Sequence, residues 1–170
     1  PIGTVLTIAA AGSEMSSSCV ITNEEGWIKR GYRNECSRPR FAVMNPELTL
    51  TLSAYQTASG CVDILMHTME RYFTNTKDVD LIDRMAEGLL VSVREAAETL
   101  LRTVMNNALI LRDDPSCYDA RAEIMWAGSL SHNGLTGCGT DGGDWACHKM
   151  EHELSGLFDV AHGAGLSAIW

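Results

Sequence analysis

The longest periodic pattern of apolar residues covers residues 80–107 and predicts a helix. Apolar residues recur there at intervals of about 3.6, which is typical of a helix with one face against a core. The apolar positions are Leu81, Ile82, Met85, Leu89, Leu90, Val93, Ala97, Leu100, Leu101 and Val104. The pattern stops at residues 113–116 and resumes over residues 118–130, which predicts a second helix.

Short runs of β-branched and apolar residues before Pro46 predict strands. These runs lie at residues 4–8, 18–22 and 41–44. Residues 23–26 follow the second run and have the composition of a hairpin turn. From residue 47 onward the apolar spacing becomes helical. The sequence therefore predicts a β-rich piece over residues 1–45, followed by a helical piece over residues 46–170.

Residues 144–166 contain three of the five histidines of the chain. His148 and His152 are four residues apart and would project from one face of a helix. An unbroken helix would separate His148 from His162 by roughly 20 Å along its axis. The chain must therefore turn if both bind one ion, and the glycines and Asp159 in this stretch allow a turn. An amphipathic helix with ordinary polar histidines is the alternative interpretation.

A second predicted helix, over residues 59–73, carries Asp63 and His67 at helical spacing. Both lie in an otherwise apolar run, so the carboxylate is expected to be partly buried. A buried charge requires an ionic partner or a bound cation. One carboxylate with two or three imidazoles suits Fe(II) or Zn(II), whereas calcium and magnesium need more oxygen ligands.

Composition narrows the classes of function. The formal net charge of -9 argues against binding to nucleic acid or to an anionic membrane surface. No apolar segment is long enough to cross a bilayer. The six cysteines form no CxxC pair, which indicates free thiols in a reducing cytoplasm. Cys61 and Cys147 lie beside the predicted ligands, but a buried free cysteine is usually a small hydrophobic residue.

Two further features near the histidines are interpreted as structural. His132 follows the helix predicted over residues 118–130, where an imidazole commonly caps carbonyls, so it is not counted as a ligand. The glycine-rich residues 137–143 lack the context of a phosphate-binding loop. They predict a flexible connection to the histidine-rich helix.

Two motifs together carry a resemblance to a known family. They are Gly60-x-x-Asp63-x-x-x-His67-x-x-Glu70 and His148-x-x-x-His152 followed by Asp159-x-x-His162-Gly163. Residues 7–14 (TIAAAGSE), 45–49 (NPELT) and 133–135 (NGL) add weaker support. In these motifs, and over nearly all of its length, the chain resembles the iron-containing (group III) alcohol dehydrogenases. Within them it is similar to the NAD(P)H-dependent butanol dehydrogenase branch.

The resemblance implies a role for each motif residue. It makes Asp63, His67, His148 and His162 the protein ligands of one metal ion, either Fe(II) or Zn(II). His152 would lie near the substrate without ligating, as the residue that passes the alcohol proton to solvent. The ion would bind the substrate oxygen during hydride transfer.

The resemblance also implies a cofactor site for NAD(P)H. Thr7, Gly12 and Ser13 belong to the segment that borders the nicotinamide and pyrophosphate in the family. Ala11 stands where relatives usually have threonine, which leaves Thr7 as the candidate for a hydroxyl contact. Lys29 is placed to reach the nucleotide, with a solvated hairpin lysine as the alternative.

The implied fold is an α+β fragment of a dehydroquinate synthase-like fold. Residues 1–45 would be the β-rich end of an α/β nucleotide-binding domain. Residues 46–170 would be the front part of an all-α metal-binding domain, with the active site in the cleft between the two. The family's glycine-rich nucleotide loop would lie before Pro1 and further helices after Trp170, so we expect an internal fragment.

The function implied is hydride transfer between NAD(P)(H) and a primary alcohol or aldehyde of the butanol type. The expected partner is this small molecule, without nucleic acid or membrane. A homodimer is expected from the habit of the family, and a cytoplasmic location from the free cysteines. Two alternatives stay open. One is a relative with other chemistry, such as a zinc-dependent glycerol dehydrogenase or a dehydroquinate synthase-like lyase, and the other is a non-catalytic helical module.

Overall fold

The structure, a computed structural model, describes residues 1–101 and 114–170. The strands are β1 (Gly3–Val5), β2 (Ser18–Asn23), β3 (Ile28–Arg33) and β4 (Phe41–Val43). The helices are α1 (Ala54–Tyr72), α2 (Asp80–Leu101), α3 (Tyr118–His132), α4 (Ala146–Phe158) and α5 (His162–Ile169). Short 3-10 helices cover Glu35–Ser37, Pro46–Thr49 and Leu135–Gly137. The order of elements agrees with a β-rich piece followed by a helical piece.

The strands form two small sheets. β2 and β3 pair antiparallel as a hairpin, with Asn23 opposite Ile28 at the turn. β1 and β4 pair in parallel, with Gly3 opposite Phe41. Each of the three predicted runs overlaps a strand, although β1 ends at Val5 rather than at residue 8.

Helix α1 begins earlier than predicted because its start is capped. The hydroxyl of Ser53 accepts a hydrogen bond from the backbone N–H of Gln56 at 3.2 Å, and the Gln56 side chain accepts one from Ser53 N at 3.3 Å. This reciprocal capping box satisfies donors that the first turn leaves unpaired. The helix therefore begins at Ala54, before the apolar run that the sequence pattern detects.

The core lies where α1, α2 and α3 pack together. Its buried members are Cys61, Ile64, Leu89, Val93, Ala96, Leu100, Ala120, Ile124 and Ala127. The prediction for α2 was wrong at Leu81 and Met85, which are 70% and 38% exposed. The buried stripe begins instead at Ala86, so both side chains lie outside it. Val104 and the predicted helical residues 102–107 lie outside the described residues.

Two turns bring the histidine-rich segment back toward α1. After α3, Gly134 adopts a φ of 101°, and at Gly143 a Cβ atom would overlap the carbonyl oxygen of Glu70. This connection packs closely on α1, in contrast to the flexible connection predicted. The second turn lies at Asp159, whose φ of 52° ends α4. In the described part of the chain, no helix is both long and apolar enough to cross a membrane.

Candidate metal centre

The predicted ligands come from three helices that meet. Asp63 and His67 are buried on α1, one turn apart, and His148 is buried in the first turn of α4. His162 begins α5. Helix α5 lies directly on α1, because a Cβ atom at Gly163 would overlap the carbonyl oxygen of Ser59. This close approach depends on glycine, and it brings two motifs that are distant in sequence to one place.

The carboxylate of Asp63 is the centre of this arrangement. Its Oδ1 atom lies 3.6 Å from Nε2 of His67, 3.5 Å from Nε2 of His148 and 3.6 Å from Nε2 of His162. Ligand atoms about 2.1 Å from one tetrahedral ion are roughly 3.4 Å from each other. Each nitrogen therefore stands at the separation from Oδ1 expected of two neighbouring ligands on one ion.

The unpaired atoms at this centre fit a cation. Asp63 Oδ1 and His148 Nε2 are buried and have no hydrogen-bond partner among the described residues. Asp63, His67 and His148 each offer a ligand atom within 4.8 Å of the others. Buried polar atoms without partners are costly, and a divalent ion would satisfy them. The mixture of carboxylate and imidazole suits Fe(II) or Zn(II).

Two glutamates orient two of the imidazoles. Nδ1 of His148 pairs with the carboxylate of Glu70, and Nδ1 of His162 pairs with the carboxylate of Glu151. Glu70 also accepts a hydrogen bond from the backbone N–H of Cys147 at 2.9 Å. Such carboxylate partners at Nδ1 leave Nε2 free for an ion and fix the ring orientation.

Neither glutamate was predicted from the sequence to have this role. Glu70 belongs to the first motif and lies one helical turn after His67, which was the available signal. Glu151 was missed altogether, although it precedes His152 and is fully buried. It becomes buried because α5 lies on it, at Gly165, where a Cβ atom would stand 3.0 Å from Glu151 Oε1.

Burial and carboxylates shift the pKa values of the imidazoles in opposite directions. Burial and the nearby cationic groups hold the pKa of His67 well below its usual range. For His148, burial would lower the pKa, but the neighbouring carboxylates of Asp63 and Glu70 raise it above the ordinary value. A proton therefore competes with a metal ion for His148 more strongly than it does for His67.

His152 lies beside His162. Its ring centroid is 5.7 Å from that of His162. Burial, together with Lys29 and His162, lowers the pKa of His152 to about 4. The imidazole is therefore neutral at pH 7 and able to accept a proton.

Lys29 of β3 is not the solvated hairpin lysine of the alternative interpretation. Its side chain is only 17% exposed. Nζ donates a hydrogen bond to Ser155 Oγ at 2.6 Å and lies 3.5 Å from the carboxylate of Glu151. The hairpin is thus joined to the carboxylate that orients His162. A contact between Lys29 and a nucleotide stays a prediction.

The predicted cofactor segment, residues 7–14, is fixed between α1 and α3. A Cβ atom at Gly12, whose φ is 60°, would lie 2.6 Å from the carbonyl oxygen of Gly128. Glu14 is buried and accepts a hydrogen bond from Ser129. Thr7 and Ser13 are exposed, so their hydroxyls remain accessible from solvent.

The prediction that His132 caps the end of its helix was wrong. Its imidazole does not cap a helix but packs on His67, with ring centroids 4.0 Å apart. Nδ1 lies 3.1 Å from Nη2 of Arg71. Burial and Arg71 lower the pKa of His132 to about 3. Its position at a helix end suggested a cap, and no sequence signal linked it to His67.

The cysteines are free thiols, as predicted. Cys61 belongs to the core, and burial raises the pKa of its thiol to about 12. Burial also raises the pKa of Cys147, as do Glu70 and Asp144. Both thiols are therefore protonated near neutral pH, and Cys61 behaves as a small hydrophobic residue.

The chain is similar to a known family of proteins. The family described as "Fe-containing alcohol dehydrogenase family, C-terminal" matches residues 57–170. NADH-dependent butanol dehydrogenase B of Clostridium acetobutylicum is 43% identical over 169 residues, which are 99% of this chain and 40% of that protein. The NADPH-dependent aldehyde reductase YqhD of Escherichia coli is 36% identical over 99% of this chain and 41% of its own length.

A solved structure extends the likeness to the fold. NADH-dependent butanol dehydrogenase A from Thermotoga maritima superposes with a TM-score of 0.89 and 37% identity, over 98% of this chain and 39% of that one. The α+β fold predicted from the sequence is confirmed by this superposition. The chain spans about 40% of the length of the curated relatives it matches. With a family match over residues 57–170 and relatives this similar, the chain belongs to the iron-containing alcohol dehydrogenase family.

Proposed function

We propose that this chain contributes the metal centre of an NAD(P)-dependent alcohol dehydrogenase or aldehyde reductase. One observation carries the proposal, namely the equal approach of three imidazole Nε2 atoms to Asp63 Oδ1. The ligands are Asp63, His67, His148 and His162. The names of the relatives, butanol dehydrogenases and an aldehyde reductase, support a small alcohol or aldehyde as substrate.

The ion and the cofactor would supply the two parts of the chemistry. When bound, Fe(II) or Zn(II) acts as a Lewis acid toward an alcohol or carbonyl oxygen. NAD(P)H supplies the hydride. The chain contributes the negative charge of Asp63, which compensates part of the charge of a divalent ion in a buried place.

We assign the transfer of the alcohol proton to His152. Its imidazole is neutral at pH 7 and lies beside His162, so it can accept the alcohol proton during oxidation. The side chain is partly exposed, which gives the proton a path to solvent. In aldehyde reduction the same group would return a proton to the product.

The β-rich piece would contribute to the cofactor side. Thr7, Gly12 and Ser13 belong to a segment that α1 and α3 hold in place, and two exposed hydroxyls are available on it. Lys29 would lie at the border between cofactor and metal centre. We extend the proposal to residues 1–45 as the end of a nucleotide-binding domain and residues 46–170 as part of the metal-binding domain. We further propose that the enzyme is a cytoplasmic homodimer that acts on butanol-type substrates.

The first experiment is elemental analysis of protein purified without oxygen, beside the double variant His148→Ala/His162→Ala. We expect about one iron or zinc per wild-type chain and none in the variant. A metal content that both proteins share would contradict the ligand assignment. Zero metal in the wild type would contradict the metal centre itself.

The activity is tested with butanal and either NADH or NADPH, as the loss of reduced cofactor. We expect turnover with one of the two cofactors and a large loss in the double variant. His152→Ala should lower the rate at a given pH while the metal content stays at the wild-type level. Full activity of His152→Ala across the pH range would remove its proton-transfer role.

A further inference from the structure

The three imidazoles of the metal centre are not oriented in the same way. His148 and His162 each have a glutamate at Nδ1. His67 has none, because its Nδ1 atom is buried and makes no hydrogen bond to any part of the chain that the structure describes. A histidine ligand normally has its second nitrogen fixed by an outer partner. Something other than a hydrogen bond must therefore hold the ring of His67.

Aromatic rings surround His67 instead. The ring centroid of His132 lies 4.0 Å from that of His67, with an angle of 36° between the planes. The rings of His148 and Trp145 are farther away, at 4.7 Å and 5.8 Å. His132 is the nearest of these rings, and unlike His148 it is free of any ligand role. Packed aromatic rings at such distances stabilise a defined orientation.

Arg71 fixes the ring of His132 in turn. Its Nη2 atom lies 3.1 Å from His132 Nδ1. A guanidinium can only donate, so Nδ1 accepts and the ring proton resides on Nε2. This contact therefore holds His132 as a neutral imidazole in a single tautomer.

Arg71 is itself held from several sides. Nη1 donates hydrogen bonds to the carbonyl oxygens of His67 at 2.8 Å and of Ser131 at 2.7 Å. The guanidinium also lies 4.4 Å from the ring centroid of Trp145, a cation–π distance. Arg71 therefore connects the backbone of the ligand to the backbone directly before His132, and it has little freedom to move.

We propose that His132 is a positioning residue of the metal centre. Arg71 fixes its imidazole, and that imidazole fixes the ring of His67 so that Nε2 faces Asp63. The role is performed for the other two histidines by Glu70 and Glu151. This inference rests on the proposed function, because it requires that His67 bind a metal ion.

Cobalt(II) alone is the probe, since its visible absorption reports the ligand geometry without any turnover. The affinity is measured by competition with a chelator in wild-type protein and in His132→Leu and His132→Phe. Leucine removes the ring, whereas phenylalanine keeps an aromatic ring without a nitrogen. We expect about tenfold or greater weakening and an altered absorption spectrum in His132→Leu, the range typical of lost outer partners. His132→Phe should recover part of the affinity, because it keeps a ring packed on His67 but loses the hydrogen bond from Arg71.

A matched control separates positioning from general stability. Val93 is a fully buried core residue of α2, and Val93→Ala should destabilise the protein without changing the cobalt spectrum. Equal cobalt affinity and equal spectra in wild type and His132→Leu would overturn the inference. So would equal weakening in His132→Leu and His132→Phe, or a loss in Val93→Ala as large as that in His132→Leu. A wild-type protein that binds no cobalt would overturn the proposed metal centre, and this inference with it.

Discussion

His162 Nε2 lies 3.6 Å from Asp63 Oδ1, although the first residue begins α5 and the second lies in the middle of α1. The contact depends on the close approach of α5 to α1. No side chain separates the two helices at this point, because Gly163 lies against the backbone of Ser59. The ligand set and the packing of α5 on α1 are therefore linked. Changes to either should affect metal binding.

Asp63→Asn tests the charge at the centre. The substitution keeps the shape of the side chain but removes the negative charge that faces three imidazoles. We expect metal affinity to fall by well over the tenfold typical of an outer partner, because a ligand itself is altered. Elemental analysis after dialysis measures the effect. Asp119→Asn, an exposed carboxylate on α3, is the control and should keep the metal.

Glu151→Gln tests the orientation of His162. A glutamine cannot reproduce the ionic hydrogen bond to Nδ1, so we expect metal affinity to fall by about 10–100-fold. Glu153 offers a matched control on the same helix, since its side chain is 62% exposed and pairs with the exposed Arg30. Chelator competition compares the two variants. Equal affinities in Glu151→Gln and Glu153→Gln would mean that Glu151 does not orient the ligand.

The motif spacings predict that candidate ligands share a helix face, because helical geometry is local, whereas the set of four ligands comes from the family resemblance. Asp63 and His67 are one turn apart on any helix, so their common face follows from the sequence alone. A turn between His148 and His162 also followed from geometry if both bind one ion, since they could not meet on one straight helix. These parts of the prediction needed no knowledge of tertiary packing.

The partners of the ligands could not be predicted in the same way. Glu151 becomes buried only when α5 packs on α4, and His132 reaches His67 only when α3 packs on α1. Both contacts depend on the relative placement of helices. The prediction for Leu81, which is exposed, was wrong for the same reason. Apolar periodicity does not determine which residues of a helix the neighbouring helices cover.

Gly163→Ala tests the packing of α5 on α1. The new methyl group would overlap the carbonyl oxygen of Ser59, a backbone atom that cannot move alone. We expect a loss of about 1–3 kcal/mol or more in the free energy of unfolding, together with weaker metal binding through His162. Urea denaturation and metal analysis measure the two effects.

Gly88→Ala is the matched control for that substitution. Gly88 lies in α2, and apart from the adjoining helix backbone no atom of residues 1–101 and 114–170 lies within 4 Å of the new Cβ position. Alanine is the better helix former, so this variant should gain about 0.5–1 kcal/mol. A destabilised Gly88→Ala, or a Gly163→Ala protein as stable as the wild type, would contradict the packing argument.

The pH dependence of stability tests the environment of His132 in metal-free protein. Burial and Arg71 lower its pKa to about 3, whereas an unfolded histidine titrates near about 6.5. Between these pH values His132 binds a proton in the unfolded chain but not in the folded protein. This histidine therefore lowers the free energy of unfolding increasingly as pH falls from about 6.5 toward about 3. His132→Leu removes the effect, and its stability should fall less steeply with acid, by up to about 1.4 kcal/mol per pH unit. Urea denaturation at several pH values gives both slopes, and parallel slopes would show that His132 is not held neutral by Arg71 and burial.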